Sequence, residues 1–190
     1  MTVTSRAFLE LHFAVLLYGF TAILGDLISL PATVLVWWRV WMTSISLFFL
    51  IRFGQTLKVI PRSLILQYMG IGVIVAVHWI TFFGSIDESN ISIALAMFST
   101  GAFFASFIEP IIYKRPIIWY EILFGILVII GVFVITQSVI KYLTGIILGI
   151  SSAFFSSLFA VLNGSFLKQS TPTVISFYEF LSGVLFISIY

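Results

Sequence analysis

The chain has 190 residues, of which 61% are hydrophobic and only 8% charged, against roughly 25% charged in an ordinary soluble domain. A soluble protein of this length must clothe its exterior in polar groups, so this composition requires the bilayer as solvent. The nine Lys and Arg and seven Asp and Glu are too scattered for a nucleic-acid footprint, and the absence of cysteine excludes disulfides and thiolate chemistry.

Crossing about 30 Å of hydrocarbon takes about 20 apolar residues in a helix, and seven stretches meet that length. The first, Ala7–Ile28, follows the short start Met1–Arg6. It has no small-residue cleavage site, so it is a retained helix and not a secretory signal. Thr33–Ile51, Leu64–Gly84, Ile91–Tyr113, Ile117–Thr136 and Thr144–Phe166 follow, and Thr173 opens a seventh span that runs to the end. Pro31, Pro61, Pro116 and Pro172 sit at or just before span starts, where a missing backbone N–H costs least. The runs are too long for barrel strands and lack period-2 alternation. The expected fold is therefore all-α, a polytopic transmembrane helix bundle. Its last span reaches Tyr190 with no polar stop or basic flank, which points to a fragment of a longer chain.

Charge in alternate loops orients the bundle. With the N-terminus in the cytoplasm, Arg6, Arg52, Lys58, Arg62, Lys114, Arg115 and Lys168 fall inside, and only Lys141 falls outside, beside Asp87 and Glu88. Such a bias fits the positive-inside rule. Ser89 and Asn90 follow the acidic pair and are placed to cap the fourth span.

The second span contains TVLVWWRVW (Thr33–Trp41) and the seventh TVISFYEFL (Thr173–Leu181), with Arg39 opposite Glu179. A repeat unit of five spans, an odd number, would insert its second copy upside down, the plan of many secondary transporters. Residues 1–136 would form the first unit and 144–190 the start of the second. The segment Ile91–Ile135 combines small residues, a late proline in the fourth span, a basic turn and a helix with Gly125 and Gly131. In these features the chain resembles the EamA-type branch of the drug/metabolite transporter superfamily. The family's usual turn glutamate is replaced here by Lys114 and Arg115, with Glu109 before and Glu121 after. The resemblance implies a ten-helix plan of two inverted repeats and a carrier, typically an exporter, of amino acids or related metabolites. It also implies the inner membrane.

Packing in lipid relies on small residues. In the sixth span Gly145, Gly149, Ser152, Ser156, Ala160 and Asn163 recur at helical spacing, and in the fourth Ser92, Ser99, Ala102 and Ser106 do, with Glu109 extending the stripe. Gly145, Gly149 and Ser152 are expected to serve helix packing. Ser99, Ala102, Ser106, Ser156 and Asn163 are expected to line a transport cavity.

Ionisable groups inside a span are costly. Arg39 and His78 each lie about 9 Å from the outer boundary, and Glu179 about 9 Å from the inner one. These depths leave Arg39 and Glu179 about 12 Å apart along the membrane normal. Arg39 is either an anchor in the belt of Trp37, Trp38 and Trp41 or a cation facing the cavity. Similarly, His78 is either a bond between helices or a proton relay. Glu179 is expected to be cavity-facing or paired, so that the cavity has a cationic outer end and an acidic inner one.

His12 and His78 have no metal-ligand spacing, Ser99 has no nucleophile elbow, and there is no glycine-rich phosphate loop. The expectation is a cofactor-free secondary transporter of a small organic solute working in the lipid bilayer by alternating access. An intramembrane enzyme and a non-transporting scaffold are the alternatives, and a homodimer is left open.

Overall fold

The computed structural model describes residues 3–51, 60–137 and 140–189; Arg52 and Lys58, counted above on the inner side, lie outside the described residues. The helices are α1 (Val3–Asp26), α2 (Ala32–Leu50), α3 (Arg62–Asp87), α4 (Ile91–Phe98), α5 (Gly101–Tyr113), α6 (Trp119–Gln137), α7 (Leu143–Phe166) and α8 (Pro172–Ile189), with a 3-10 turn, Ile140–Tyr142, leading into α7. There is no strand among the described residues. Among the described residues, seven helical spans are long and apolar enough to cross a membrane, the fourth being α4 and α5 together. The protein is a polytopic helical bundle.

Local chemistry sets the ends. Pro31 and Pro61 are the residues immediately before α2 and α3, and Pro172 is the first residue of α8, positions where an intrahelical N–H bond is not missed. Asn90 caps α4 by accepting the Ile93 N–H at 3.0 Å. Ser89 turns back and donates to the Ser85 carbonyl at the end of α3.

α3 is the central helix, with α7 and α8 packed against it. The glycines permit the close approach: a Cβ on Gly72 would overlap the Glu179 carbonyl oxygen and Ser182 Oγ, and one on Gly149 would sit 3.0 Å from Ser85 Oγ. α1 and α6 are peripheral. Phe13, Leu16, Tyr18, Trp119, Leu123 and Ile130 on them are more than half exposed, an apolar surface suited to lipid.

The relative direction of the helices follows from their contacts. Trp37, early in α2, donates from Nε1 to Ser188 Oγ at the far end of α8, 2.8 Å away. Phe48, late in α2, meets Phe177 near the start of α8. α2 and α8 are thus antiparallel. Ser85, late in α3, donates to the Gly145 carbonyl early in α7 at 2.7 Å, so α3 and α7 are antiparallel as well.

The fourth span has the predicted bounds, Ile91–Tyr113, and tightens at one turn within them. Between Phe98 and Gly101 the i→i+4 ladder lapses, and the Thr100 N–H donates to the Met97 carbonyl at 3.1 Å and the Phe103 N–H to that of Thr100 at 3.0 Å. Ser99, Thr100 and Gly101 stand consecutively at this turn. Ser99 Oγ donates to the Ala96 carbonyl at 2.6 Å and Thr100 Oγ1 to that of Met97 at 2.7 Å. Such back-bonding competes with the ladder and bends helices, and glycine is the weakest helix former after proline.

Candidate functional site

The tightened turn lies beside a cavity of about 480 Å³ between α4–α5 and α7, lined by residues that include Ser99, Gly101, Ala102, Glu109, Ser156 and Ser157. Small-molecule sites fall in this size range. Ser99 is eight residues into the span, about 12 Å from its start and so near mid-depth, and the cavity extends from there to Glu109 and Tyr113 at the far end of α5. Ser157 Oγ donates to the Gly101 carbonyl at 2.8 Å, which ties α7 to the first residue of α5. Irregular backbone at membrane depth is tolerated where protein or a cavity satisfies it. Phe98, Ala105, Ala160 and Val161 complete most of an otherwise apolar wall.

The mouth carries charge. Arg115 donates from Nη2 to Glu109 Oε2 at 2.7 Å and to Glu121 Oε2 at 2.9 Å, fastening α5 to α6 across the turn. The two carboxylates hold the Arg115 guanidinium's proton more firmly than usual, chiefly by accepting its hydrogen bonds. Lys114 makes the turn in the left-handed region, φ 51°, and its N–H closes α5 on the Pro110 carbonyl. Tyr113 donates to the Val161 carbonyl at 2.8 Å, which ties the end of α5 to α7.

The structure brings Ser99, Ala102 and Ser156 together at the cavity. The other anticipated cavity residues lie elsewhere. Ser106 is buried and bonds back to the Phe103 carbonyl. Arg39 stands over the rings of Trp79 and Phe83, 5.0 and 5.1 Å from their centroids, beside a belt in which Trp37, Trp38 and Trp41 pack on one another. His78 is buried between α3 and α7, its Nδ1 2.9 Å from Ser152 Oγ and 3.0 Å from the Ser152 carbonyl. With the ring proton on Nδ1 donated to that carbonyl, Ser152 Oγ remains free to donate to the His78 carbonyl at 3.2 Å. The His78 ring faces Phe98, the same side chain that walls the cavity. Glu179 is buried on α8, with Asn163 of α7 near its side chain. Arg39 and Glu179 do not pair: ion pairs among the described residues are Arg6–Glu10, Arg115–Glu109 and Arg115–Glu121.

Gly101, Ser157 and Tyr113 were not anticipated in the cavity, whereas Glu109 lies on the fourth-span stripe. The Ser99–Thr100–Gly101 triplet was the available signal for the tightened turn, and the adjacent pair Ser156–Ser157 marked the facing side of α7. No group of three or more His, Cys, Asp or Glu that would hold a metal occurs among the described residues.

Residues 7–137, more than half of the chain, match the model of the EamA-like transporter family. No curated protein and no solved structure matches the chain.

Proposed function

The chain belongs to the EamA-like transporter family, within the drug/metabolite transporter superfamily, and on that premise we propose that it is a secondary carrier moving a small organic solute by alternating access. The family makes it a multi-pass membrane transporter of small solutes. The observation that carries the finer reading is the cavity between α5 and α7 beside the tightened mid-depth turn of the fourth span. Carriers of inverted-repeat design hold their solutes near the midplane.

Residues 1–136 are the first repeat in this reading and 144–190 the beginning of a second, inverted one. The family match over residues 7–137 supports the first unit. The antiparallel pairing of α8 with α2, its counterpart in the repeat, supports the inversion. With the N-terminus in the cytoplasm, Glu109 and Tyr113 lie at the inner end, so the cavity faces inward. Its hydroxyls and the Glu109 carboxylate, with Arg115 behind it, suit a solute bearing an ammonium group, such as an amino acid or a related metabolite. Export across the inner membrane completes the proposal.

The test is flux of a panel of labelled amino acids in proteoliposomes containing the protein. Ala102→Trp and Ser156→Trp should each remove most of the flux while leaving reconstitution yield and melting unchanged, whereas lipid-facing Leu123→Trp should be silent. Because the chain has no cysteine, Ser99→Cys and Ala102→Cys can be labelled without background. They should react with an impermeant thiol reagent that leaves Ala153→Cys untouched. Tryptophan at Ala102 and at Leu123 acting alike would remove the site, and a wild type moving none of the panel would remove the substrate class.

A further inference from the structure

Away from that cavity, the bundle buries a carboxyl group without a counter-ion. Glu179 is 3% exposed; the helices packed on α8 are α2 and α3, and α7 brings Asn163 near it. α7 carries no ionisable side chain. α2 carries Arg39 alone, held over Trp79 and Phe83, whereas the Glu179 backbone abuts Gly72, about 10–16 Å further back along α3. On α3, Arg62 lies about 15 Å from Gly72 toward one end and Asp87 about 22 Å toward the other. His78 is nearer, about 9 Å along the axis, but its ring bonds to Ser152. Tyr68 donates to Ser170 Oγ at 2.8 Å. On α8 itself the other ionisable group is Tyr178, whose hydroxyl is also buried with no partner among the described residues.

The Asn163 side chain stands near the Glu179 carboxyl, and Glu179 Oε1 and Asn163 Oδ1 are both sealed from solvent with no partner among the described residues. Buried polar atoms of this kind are rare and costly, and an unpaired carboxylate away from water costs more still. The two oxygens both accept and neither donates; the pair is short of one hydrogen.

We propose that Glu179 and Asn163 form a proton-binding site, occupied in this closed packing, through which solute movement is coupled to proton movement. A proton on Oε1 converts a partnerless acceptor into a donor, and Asn163, by turning its amide over, presents Oδ1 to receive it. The same proton removes the negative charge from the bundle interior. A metal cation is the poorer occupant, because these two oxygens fall far short of the six or so ligands that hard cations take. No bond other than the O–H forms or breaks: the proton arrives from water on one face and leaves to water on the other when the packing around Glu179 opens. The coupling rests on the carrier reading above; the proton site does not.

Infrared spectroscopy of the full chain in lipid tests the site without any solute. At neutral pH a protonated-carboxyl band is expected that Glu179→Gln abolishes, Asn163→Ala shifts and Glu109→Gln leaves in place. Coincident neutral-pH spectra for wild type and Glu179→Gln would overturn it. Should Glu179→Gln fail to fold, Glu179→Asp, which keeps an acid, is expected to carry the band at a displaced frequency; an aspartate variant and a wild type both lacking the band would refute the site equally. In proteoliposomes supplied with the amino-acid panel, Glu179→Gln should retain solute exchange but lose its response to an imposed pH gradient. Wild-type exchange indifferent to the gradient would overturn the coupling. A wild type that moves no probe counts against the carrier reading alone, since the infrared result is independent of it.

Discussion

Replacing Gly72 with alanine should push α3 away from α8. The new Cβ would overlap the Glu179 carbonyl oxygen and Ser182 Oγ and stand 2.6 Å from the Glu179 carbonyl carbon, where carbon atoms settle at about 3.5–4.0 Å. Two of the three neighbours are backbone atoms, which no rotamer change can move aside. The helices must therefore separate by about 1 Å. Ser182 Oγ donates to the Met69 carbonyl at 2.6 Å, and the same movement would carry that contact to about 3.6 Å, no longer a hydrogen bond. An interhelical bond of this kind is worth about 0.6 kcal/mol in a membrane bundle, and overpacking adds about 1–3 kcal/mol. Gly70, two residues earlier in the same helix, has nothing within 4 Å of its Cβ position, so Gly70→Ala gains the same helix propensity and meets no neighbour. The propensity gain cancels between the two, and Gly72→Ala should be less stable than Gly70→Ala by about 2–4 kcal/mol. Equilibrium unfolding in mixed micelles, followed by tryptophan fluorescence, measures the gap. Equal stability of the two alanine variants would refute the close approach of α3 and α8.

Two further outcomes follow from the side-chain pairs. In a double-mutant cycle, Ser152→Ala and His78→Phe should show a coupling of about 0.6–1.7 kcal/mol, and strictly additive losses would mean that the bond between α3 and α7 contributes nothing. Arg115→Gln should lower the melting temperature by releasing α5 from α6, and Arg115→Lys should restore only part of it, because an ammonium lacks the fork that spans two carboxylates. Glu109 and Glu121 raise the guanidinium's affinity for its proton. Its contribution is thus complete below the ordinary arginine range and lost only at more alkaline pH. The melting difference between wild type and Arg115→Gln should accordingly stay constant from neutral to mildly alkaline pH; a difference that fades over that interval would show that Arg115 is not the group involved.

The seven spans and their proline-marked starts were legible in the sequence because the bilayer imposes a local rule: about 20 apolar residues, wherever they occur, make a crossing. The close-packing character of Gly149 and Ser152 was legible for a similar reason, since small residues at helical spacing mark a face. What that face meets was not. Ser152 receives the ring of His78 and Gly149 receives Met97, while Ser156, one turn on from Ser152, borders the cavity. The tightened turn in the fourth span was written in Ser99, Thr100 and Gly101, but hydropathy averages over such a triplet, and its apolar neighbours set only the bounds of the span. Arg39 and Glu179 occupy matching places in the segments Thr33–Trp41 and Thr173–Leu181, yet one lies on aromatic rings and the other is enclosed without a cation. Composition and spacing determined that this chain enters lipid and how often. Which side chains meet there depended on the rotation and register of each helix against its neighbours, set by contacts between residues tens of positions apart, which no window along the chain contains.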